Sequence, residues 1–301
     1  LLMDRLHVMA VFVAVAEEGG FAGGARRLKL SAPSVTRAVA DLERHLGVKL
    51  LNRTTRFVRV TEAGQRYLED CRRVIAAADE ADQAAAGFST EPRGRVALTA
   101  SVLFGRLFVT PCITEYMTRC PDVEVYALFV DRIVNLLEEG IDVAVRIGEL
   151  PDSSYKAIRV GSVRRVICAS PAYLSAHGMP QSPEELSRHD VIIPTGLSPY
   201  SDIRILNKGV PQVVKPRPRL VVTDNSSAIA AAVAGLGISN LLSYQIAPEL
   251  VEGKLKIILS EYELKPLPVH IVHSEGRYAI AKVRALVDFM VEELRADPAL
   301  N

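Results

Sequence analysis

The sequence predicts an α/β protein with a separate α-rich segment at its N-terminus. Three amphipathic helices and a small hairpin fall within residues 1–60, and one long helix follows over 61–86. From residue 95 onward, strands alternate with helices, which is typical of sheets covered by helices on both faces. A chain of 301 residues is too long for one core, and its last 200 or so suffice for two α/β lobes.

Composition indicates an ordinary globular protein, with 49% hydrophobic and 24% charged residues. The longest apolar stretch, 228–238, is too short to cross a bilayer, so we expect no membrane contact. Residues 1–4 lack the basic start and apolar run of a signal peptide, which favours a cytoplasmic location. The four cysteines form no C-x-x-C pair, and no metal site or cofactor is expected.

Charge is distributed unevenly along the chain. Residues 1–60 contain ten Lys and Arg against five Asp and Glu, a net charge of +5, whereas the rest contains 26 against 30, a net charge of −4. A basic end on a nearly neutral protein indicates a polyanionic partner for that end.

The α-rich segment begins with a helix predicted from Asp4 to Glu18 and ended by Gly19 and Gly20. A short second helix begins at Phe21. Gly23 and Gly24 cost it about 1 kcal/mol each relative to alanine, so its start is expected to be irregular. The third helix has Pro33 in its first turn, and Gly47 ends it. Its apolar stripe consists of Val35, Val39, Leu42 and Leu46.

A hairpin follows, with strands Lys49–Asn52 and Phe57–Val60 and a basic tip. Three helices and a two-stranded wing form a winged helix-turn-helix, whose third helix enters the major groove of double-stranded DNA. Each polar residue alone is equally well explained as a solvated surface group, and the combination carries the prediction. The predicted DNA-contacting residues are Arg26, Ser31, Pro33, Ser34, Thr36, Arg37, Arg53, Thr54 and Arg56.

Thr61 is a good N-cap for the long helix, which we expect to run to about Ala86. Its apolar stripe repeats at spacings of four and three, which favours pairing with a second copy of the helix. The alternative is that the stripe lies on the helix's own domain. The predicted dimer residues are Tyr67, Cys71, Val74, Ala78, Ala81 and Ala85. Residues 87–94 have the composition of a hinge.

From residue 95 onward, the hydrophobic pattern predicts a series of strands and helices. The predicted elements are strand Arg95–Ala100 with a helix from Gly105, strand Val123–Val130 with a helix through Leu137, strands Asp142–Ile147 and Val166–Ala169, strand Leu220–Thr223 with helix Ser226–Gly235, and strand Val269–His273 with a helix from Arg277 to Asp297.

Several motifs occur in order along the chain. The N-terminal ones are Ala25-Arg26-Arg27-Leu28, residues 30–37, Leu42-Glu43, residues 46–51, Arg53-Thr54-Thr55-Arg56 and residues 60–64. Those that follow are Asp142-Val143-Ala144-Val145-Arg146-Ile147-Gly148, residues 168–174 and Gly235-Leu236-Gly237-Ile238. With these motifs the chain resembles the LysR-type transcriptional regulators.

The resemblance implies a winged helix-turn-helix over 1–60, a dimerising linker helix over 61–86, a hinge over 87–94, and a periplasmic-binding-protein-like effector domain over 95–301. Its first lobe would comprise about 95–163 and 266–301, and its second about 164–265. The resemblance also implies promoter DNA, a small-molecule effector and RNA polymerase as partners. It implies self-association as a dimer or a dimer of dimers.

In open α/β sheets, ligands bind outside the carboxyl ends of strands. The residues predicted to contact the effector are Ser101, Val102, Phe104, Arg146, Ile147, Gly148, Thr195, Ser201, Asp224 and Asn225. Hydroxyls, an arginine and helix N-termini at these strand ends favour a small carboxylate as the effector. Asp224 disfavours a strongly anionic ligand, so an amino acid or an amphiphilic aromatic acid is an alternative. Ser101 and Asn225 could instead be helix caps.

An enzyme is excluded on motifs, because neither a nucleophile elbow nor a dinucleotide fingerprint is complete. A solute-binding protein without a regulatory role is the alternative, since residues 95–297 alone would suit one. The fused basic segment argues against that alternative.

Overall fold

The structure is a computed structural model that describes residues 5–53, 58–85, 92–195, 202–274 and 281–300. It divides into two compact units, Leu1–Ser89 and Thr90–Asn301, which are described separately below. Among the described helices, none is both long and apolar enough to cross a membrane.

The first unit contains the predicted elements in the predicted order. β1 pairs with β2 in antiparallel register, as expected for a wing. The elements are α1 (Arg5–Glu17), α2 (Phe21–Leu28), α3 (Ala32–Leu46), β1 (Leu51–Arg53), β2 (Val58–Val60) and α4 (Glu62–Ala85).

The prediction that α2 starts irregularly is wrong, because this helix is regular from Phe21 onward. A Cβ atom on Gly24 would lie 2.8 Å from Val15 Cγ2 and 3.0 Å from the Val15 backbone nitrogen. Glycine therefore allows α1 and α2 to approach closely, and this packing outweighs its low helix propensity.

The long helix α4 begins where the sequence predicts. Thr61 Oγ1 accepts a hydrogen bond from Gly64 N at 2.9 Å and donates to Lys49 O at 2.8 Å, so it caps α4 and ties it to the wing. Tyr67 and Cys71 do not face outward. Cys71 is fully buried, and Tyr67 packs on Phe12 of α1 with ring centroids 5.8 Å apart. The start of the predicted dimer stripe is therefore already covered by the chain's own α1, because a heptad pattern does not specify which helix covers it.

The second unit is built on two five-stranded sheets. The first sheet, which defines the first lobe, has the order β4-β3-β5-β14-β6, and β3 runs parallel to β4 and β5. Its strands are β3 (Gly94–Ala100), β4 (Val123–Phe129), β5 (Val143–Ile147), β6 (Tyr155–Val163) and β14 (Leu267–Ser274). Its helices are α5 (Val102–Phe104), a π-helical turn (Gly105–Val109), α6 (Thr110–Arg119) and the C-terminal α10 (Ala281–Ala296).

Two predicted helices of this lobe need correction. The helix expected from Gly105 begins at Val102 and includes the π-helical turn. The helix expected through Leu137 is absent from residues 131–141, which form turns. Here Asn135 Oδ1 accepts hydrogen bonds from Leu137 N and Glu138 N, and such a local side-chain turn competes with helix formation.

The second lobe contains the sheet β11-β8-β12-β7-β13, in which β8 is parallel to β11 and β12, together with a separate hairpin of β9 and β10. The strands are β7 (Arg165–Ala169), β8 (Val191–Pro194), β9 (Ile203–Asn207), β10 (Val210–Val214), β11 (Pro218–Val222), β12 (Ile238–Leu242) and β13 (Lys256–Ile258). The helices are α7 (Pro171–His177), α8 (Asn225–Val233) and α9 (Ala247–Val251).

One hydrophobic core runs through both lobes. It contains Leu98 and Ile271 of the first sheet as well as Ile192 and Leu241 of the second. Cys168 is also buried in this core, and burial raises the pKa of its thiol to about 12. The shared core holds the lobes together below the cleft where their loops meet.

Candidate functional sites: a helix surface and an inter-lobe cleft

The N-terminal end of α3 presents short polar side chains. Ser31 is its N-cap, because Ser31 Oγ accepts a hydrogen bond from Ser34 N at 3.2 Å, and Pro33 occupies the first turn. Ser34 and Arg37 are exposed, while Thr36 is half-buried beside them. The predicted DNA-contacting residues of α3 are thus together at one end of one helix.

Ion pairing separates the arginines of this unit into two groups. Arg27 pairs with Glu17 at 2.6 Å, and Arg44 pairs with Asp41 at 2.7 Å. Arg26 and Arg37 are exposed, and neither has an ion-pair partner among the described residues. Their charges are therefore available to an external anion. Thr54, Arg56 and the side chain of Arg53 at the wing tip lie outside the described residues.

A carboxylate that the sequence analysis did not single out holds the wing against α3. Glu43 is buried, and its Oε1 accepts hydrogen bonds from Leu50 N at 2.9 Å and Leu51 N at 3.1 Å, while Oε2 accepts from Lys49 Nζ at 2.8 Å. Burial would raise the pKa of Glu43, but the bonds from Lys49 and the two backbone groups outweigh it and lower that pKa. The ionised carboxylate therefore stabilises the wing.

We expect Glu43→Gln to lower the free energy of unfolding of this unit by about 1–3 kcal/mol at neutral pH, since one oxygen becomes an amide donor facing Lys49. Because the folded pKa lies below the unfolded value of about 4.3, this stabilisation is present above that pH and is lost as pH falls through the folded pKa. Urea unfolding of both proteins across this range measures the difference. Asp41→Asn, at a partly exposed carboxylate of the same helix, is the control and should be nearly neutral. Equal losses for both variants would contradict the role of Glu43.

The second site lies where strand ends of the two lobes converge. β3, β4 and β5 of the first lobe end at Ala100, Phe129 and Ile147. The parallel strands β8, β11 and β12 of the second lobe end at Pro194, Val222 and Leu242. A hydrogen bond from Asn225 to Asp131 and a ring contact between Phe104 and Tyr244 link the segments that follow these strands, and we call this junction of the two lobes the cleft.

Ser101 follows β3 directly and occupies the N-cap position of α5, but its side chain accepts no capping hydrogen bond. Its buried Oγ makes no hydrogen bond of acceptable geometry, although it lies close enough to the Tyr244 hydroxyl to influence the pKa of that group. A buried hydroxyl without a well-formed hydrogen bond is costly and uncommon.

Asp131 caps the helix that begins after Ser101. Asp131 Oδ1 accepts a hydrogen bond from Val102 N at 3.0 Å. Its other oxygen, Oδ2, accepts from Asn225 Nδ2 of the second lobe at 3.3 Å. One carboxylate therefore joins the first turn of α5 to the first turn of α8 across the cleft, and the sequence analysis did not identify it.

Asn225 is not the cap of α8. Asp224 has that role, because its carboxylate accepts from Ser226 N at 3.2 Å and from Ser227 N at 2.7 Å. These bonds lower the pKa of Asp224, the hydrogen bond from the Ser227 hydroxyl having the largest effect. The N-termini of α5 and α8 are thus both occupied by carboxylates of the protein.

Arg146 is a half-buried cationic residue at this edge of the first sheet. It lies near the end of β5, adjacent to β3, and its Nη2 donates to Val134 O at 2.7 Å. Burial lowers its pKa and the nearby charge of Glu139 partly opposes that effect, but Glu139 forms its ion pair with Arg132. A partly desolvated guanidinium with unused donors is suited to bind a carboxylate.

The remaining predicted residues fall into three groups. Val102, Ile147, Gly148 and Thr195 are at the cleft edge, and Thr195 Oγ1 donates to Val222 O at 3.2 Å. Phe104 is fully buried in the core, where it contacts Phe108 and Tyr244 at centroid distances of 4.7 and 5.4 Å, so it supports the cleft rather than lining it. Ser201 lies outside the described residues.

Two family models match this chain. Residues 6–65 match the bacterial regulatory helix-turn-helix protein, lysR family, and residues 89–295 match the LysR substrate binding domain. Together they cover both units.

Curated relatives and solved structures agree over nearly the full length. The chain is 32% identical to an HTH-type transcriptional repressor of Pseudomonas aeruginosa, covering 99% of this chain and 95% of the relative. It is 30% identical to the HTH-type transcriptional activator AaeR of Escherichia coli, covering 96% and 95%. Its structure is similar to that of CrgA, a LysR-type regulator from Neisseria meningitidis, with a TM-score of 0.62, 30% identity and coverage of 96% and 98%.

Proposed function

Because the chain belongs to the LysR family of transcriptional regulators and has that family's effector-binding domain, we propose that it binds its operators through α3 and the wing and responds to a small carboxylate bound between its lobes. Membership in this family excludes the solute-binding alternative and an enzymatic role, since the relatives are regulators of transcription.

The surface at the start of α3 supports the DNA-binding half of the proposal. Ser34 and Arg37 are exposed there, Thr36 lies beside them, and Ser31 and Pro33 fix the first turn. Hydroxyls and a guanidinium at the end of a recognition helix read base edges, while Arg26 and the wing residues Arg53, Thr54 and Arg56 would hold phosphates.

Regulators of this family form oligomers, and we place the dimer contact of this chain on α4. The stripe open to a partner helix begins at Val74, which is 44% exposed, and continues through Ala78. The side chains of Ala81 and Ala85 lie outside the described residues. Small residues would permit close helix pairing.

From its function as a transcriptional regulator, we also propose that the protein contacts RNA polymerase and acts in the cytoplasm. One relative is an activator of transcription and another is a repressor, so this chain could act in either way.

The single observation that carries the effector half is the buried, unpartnered Ser101 Oγ at the cleft. Arg146 lies on the adjacent strand with unused donors and no described ion pair. A hydroxyl and a guanidinium on neighbouring strand ends can bind the two oxygens of one carboxylate, which would satisfy both groups.

We expect Ser101→Ala and Arg146→Ala each to weaken binding of a small-acid effector, by roughly tenfold or more for the arginine because a charged hydrogen bond is lost. The measurement is a thermal-shift screen of small carboxylic acids on the full chain, followed by calorimetric titration of each hit with both variants. Arg188→Ala, at an exposed arginine of the second lobe, is the control and should bind like the wild type. If every hit binds the wild type and all three variants equally, the effector does not bind at Ser101 and Arg146. If no acid binds, the effector is not a small carboxylate.

A further inference from the structure

The cleft contains more negative charge than a site built only for a carboxylate requires. Asp131 and Asp224 both lie at its edge, and the two helix N-termini that could bind an anion are capped by them. An acid without other polar groups would bring its own charge close to Asp131, and that repulsion opposes binding.

Asp131 nevertheless has capacity to accept further hydrogen bonds. Each of its oxygens accepts one bond, Oδ1 from Val102 N and Oδ2 from Asn225 Nδ2, whereas an ionised carboxylate has about four acceptor positions. Its side chain is only half-buried, so a ligand can reach the remaining positions. A donor group on the ligand would meet a carboxylate that two bonds already hold in place.

The surroundings of Asp131 place it beside the unpartnered hydroxyl. The Tyr244 hydroxyl lies near both Ser101 and Asp131, and Asp131 contributes to raising its pKa after the larger effect of burial. Ser101 and Asp131 also flank the same first turn of α5, since Asp131 accepts from the residue that follows Ser101. A ligand that satisfies Ser101 is therefore within reach of Asp131.

We propose, on the premise of the carboxylate effector above, that Asp131 makes the cleft selective for acids that carry a hydrogen-bond donor, an ammonium or a hydroxyl group, on the same small molecule. The carboxylate of the ligand binds at Ser101 and Arg146, and its donor binds Asp131. Because Asp131 also binds Asn225, an occupied donor position affects the contact between the lobes.

The test uses matched acids that differ only in the donor: propionate, lactate and alanine, and 3-phenylpropionate, phenyllactate and phenylalanine. Calorimetry on the full chain should show at least one donor-bearing acid binding about tenfold or more tightly than its parent. In Asp131→Asn that preference should shrink to about threefold or less, because the charge is removed while an oxygen remains for Val102 N. Asp122→Asn, at an exposed carboxylate just before the opposite end of β4, should keep the preference.

Asn225→Ala separates the charge of Asp131 from the inter-lobe bond. It removes the partner of Oδ2 and keeps the carboxylate, so the donor preference should persist. If Asn225→Ala abolishes the preference as Asp131→Asn does, the bond and not the charge selects the ligand, and the proposal is wrong. If parent and donor-bearing acids bind equally to the wild type, the proposal fails while the carboxylate effector stands. If no acid of either series binds, both fail.

Discussion

Arg37→Ala is expected to weaken operator binding by roughly 10- to 100-fold, the effect of losing one arginine that reads a base edge. Arg37 is exposed near the N-terminal end of α3, which we propose reads base edges, and it has no ion-pair partner among the described residues. Fluorescence anisotropy with the full chain and operator DNA, repeated at several salt concentrations, measures both affinity and its salt dependence. If Arg37 binds a phosphate instead, the salt slope should fall by about one and the loss should be similar on every sequence.

Arg44→Ala is the matched control on the same helix. Arg44 is as exposed as Arg37 but pairs with Asp41 at 2.7 Å, one turn or more beyond the predicted contact end. Its loss should change operator affinity by less than about threefold, in line with the small contribution of exposed pairs. If Arg44→Ala lowers operator affinity more than Arg37→Ala does, the other end of α3 faces the DNA.

Gly64→Ala is expected to destabilise the first unit by about 2–3 kcal/mol, because the added methyl group overpacks the joint between α4 and the wing. A Cβ at this position would lie 2.1 Å from Leu50 O and 2.8 Å from Val60 Cγ1. Relief requires α4 to move away from β1, which strains the Thr61 cap and its bond to Lys49 O. Urea unfolding and operator affinity should both report the loss.

Gln65→Ala introduces the same residue at the neighbouring exposed position of α4 and serves as the control. Alanine has a high helix propensity, so the free energy of unfolding should change by less than about 0.5 kcal/mol. If Gly64→Ala unfolds at the same urea concentration as this control, the close packing of α4 on the wing is not essential.

The first unit was predictable because its determinants are local. Gly47 ends α3, Thr61 caps α4, and the apolar stripe of α3 is buried as its spacing indicates. Glu43 was missed because its function depends on backbone groups of the wing seven and eight residues later, and no periodicity reports such a contact. The wrong prediction of an irregular start for α2 has the same origin, because the residue that packs on Gly24, Val15, belongs to another helix.

The α/β unit was predictable in class but not in detail. The sequence pattern does not predict strands β6, β8, β9, β10, β12 and β13. For β8 and β12 the reason is that short, almost wholly buried strands lack the alternation that marks half-buried ones. Apolar residues recur at helical spacing over 131–141 and predict a helix there, whereas the Asn135 side chain stabilises a turn. The sequence pattern does not identify Asp131, because its role depends on a hydrogen bond to Asn225, 94 positions away in sequence.

Selection of DNA fragments by the purified full chain tests the central claim most directly. The chain would be incubated with a library of genomic fragments at physiological salt, and the affinity for the enriched fragments compared with that for shuffled sequences of the same composition. A sequence-specific regulator should bind the enriched fragments at least about a thousandfold more tightly, with an affinity that falls steeply as salt rises. A library that shows no enrichment, or equal affinity for enriched and shuffled DNA, would contradict the account.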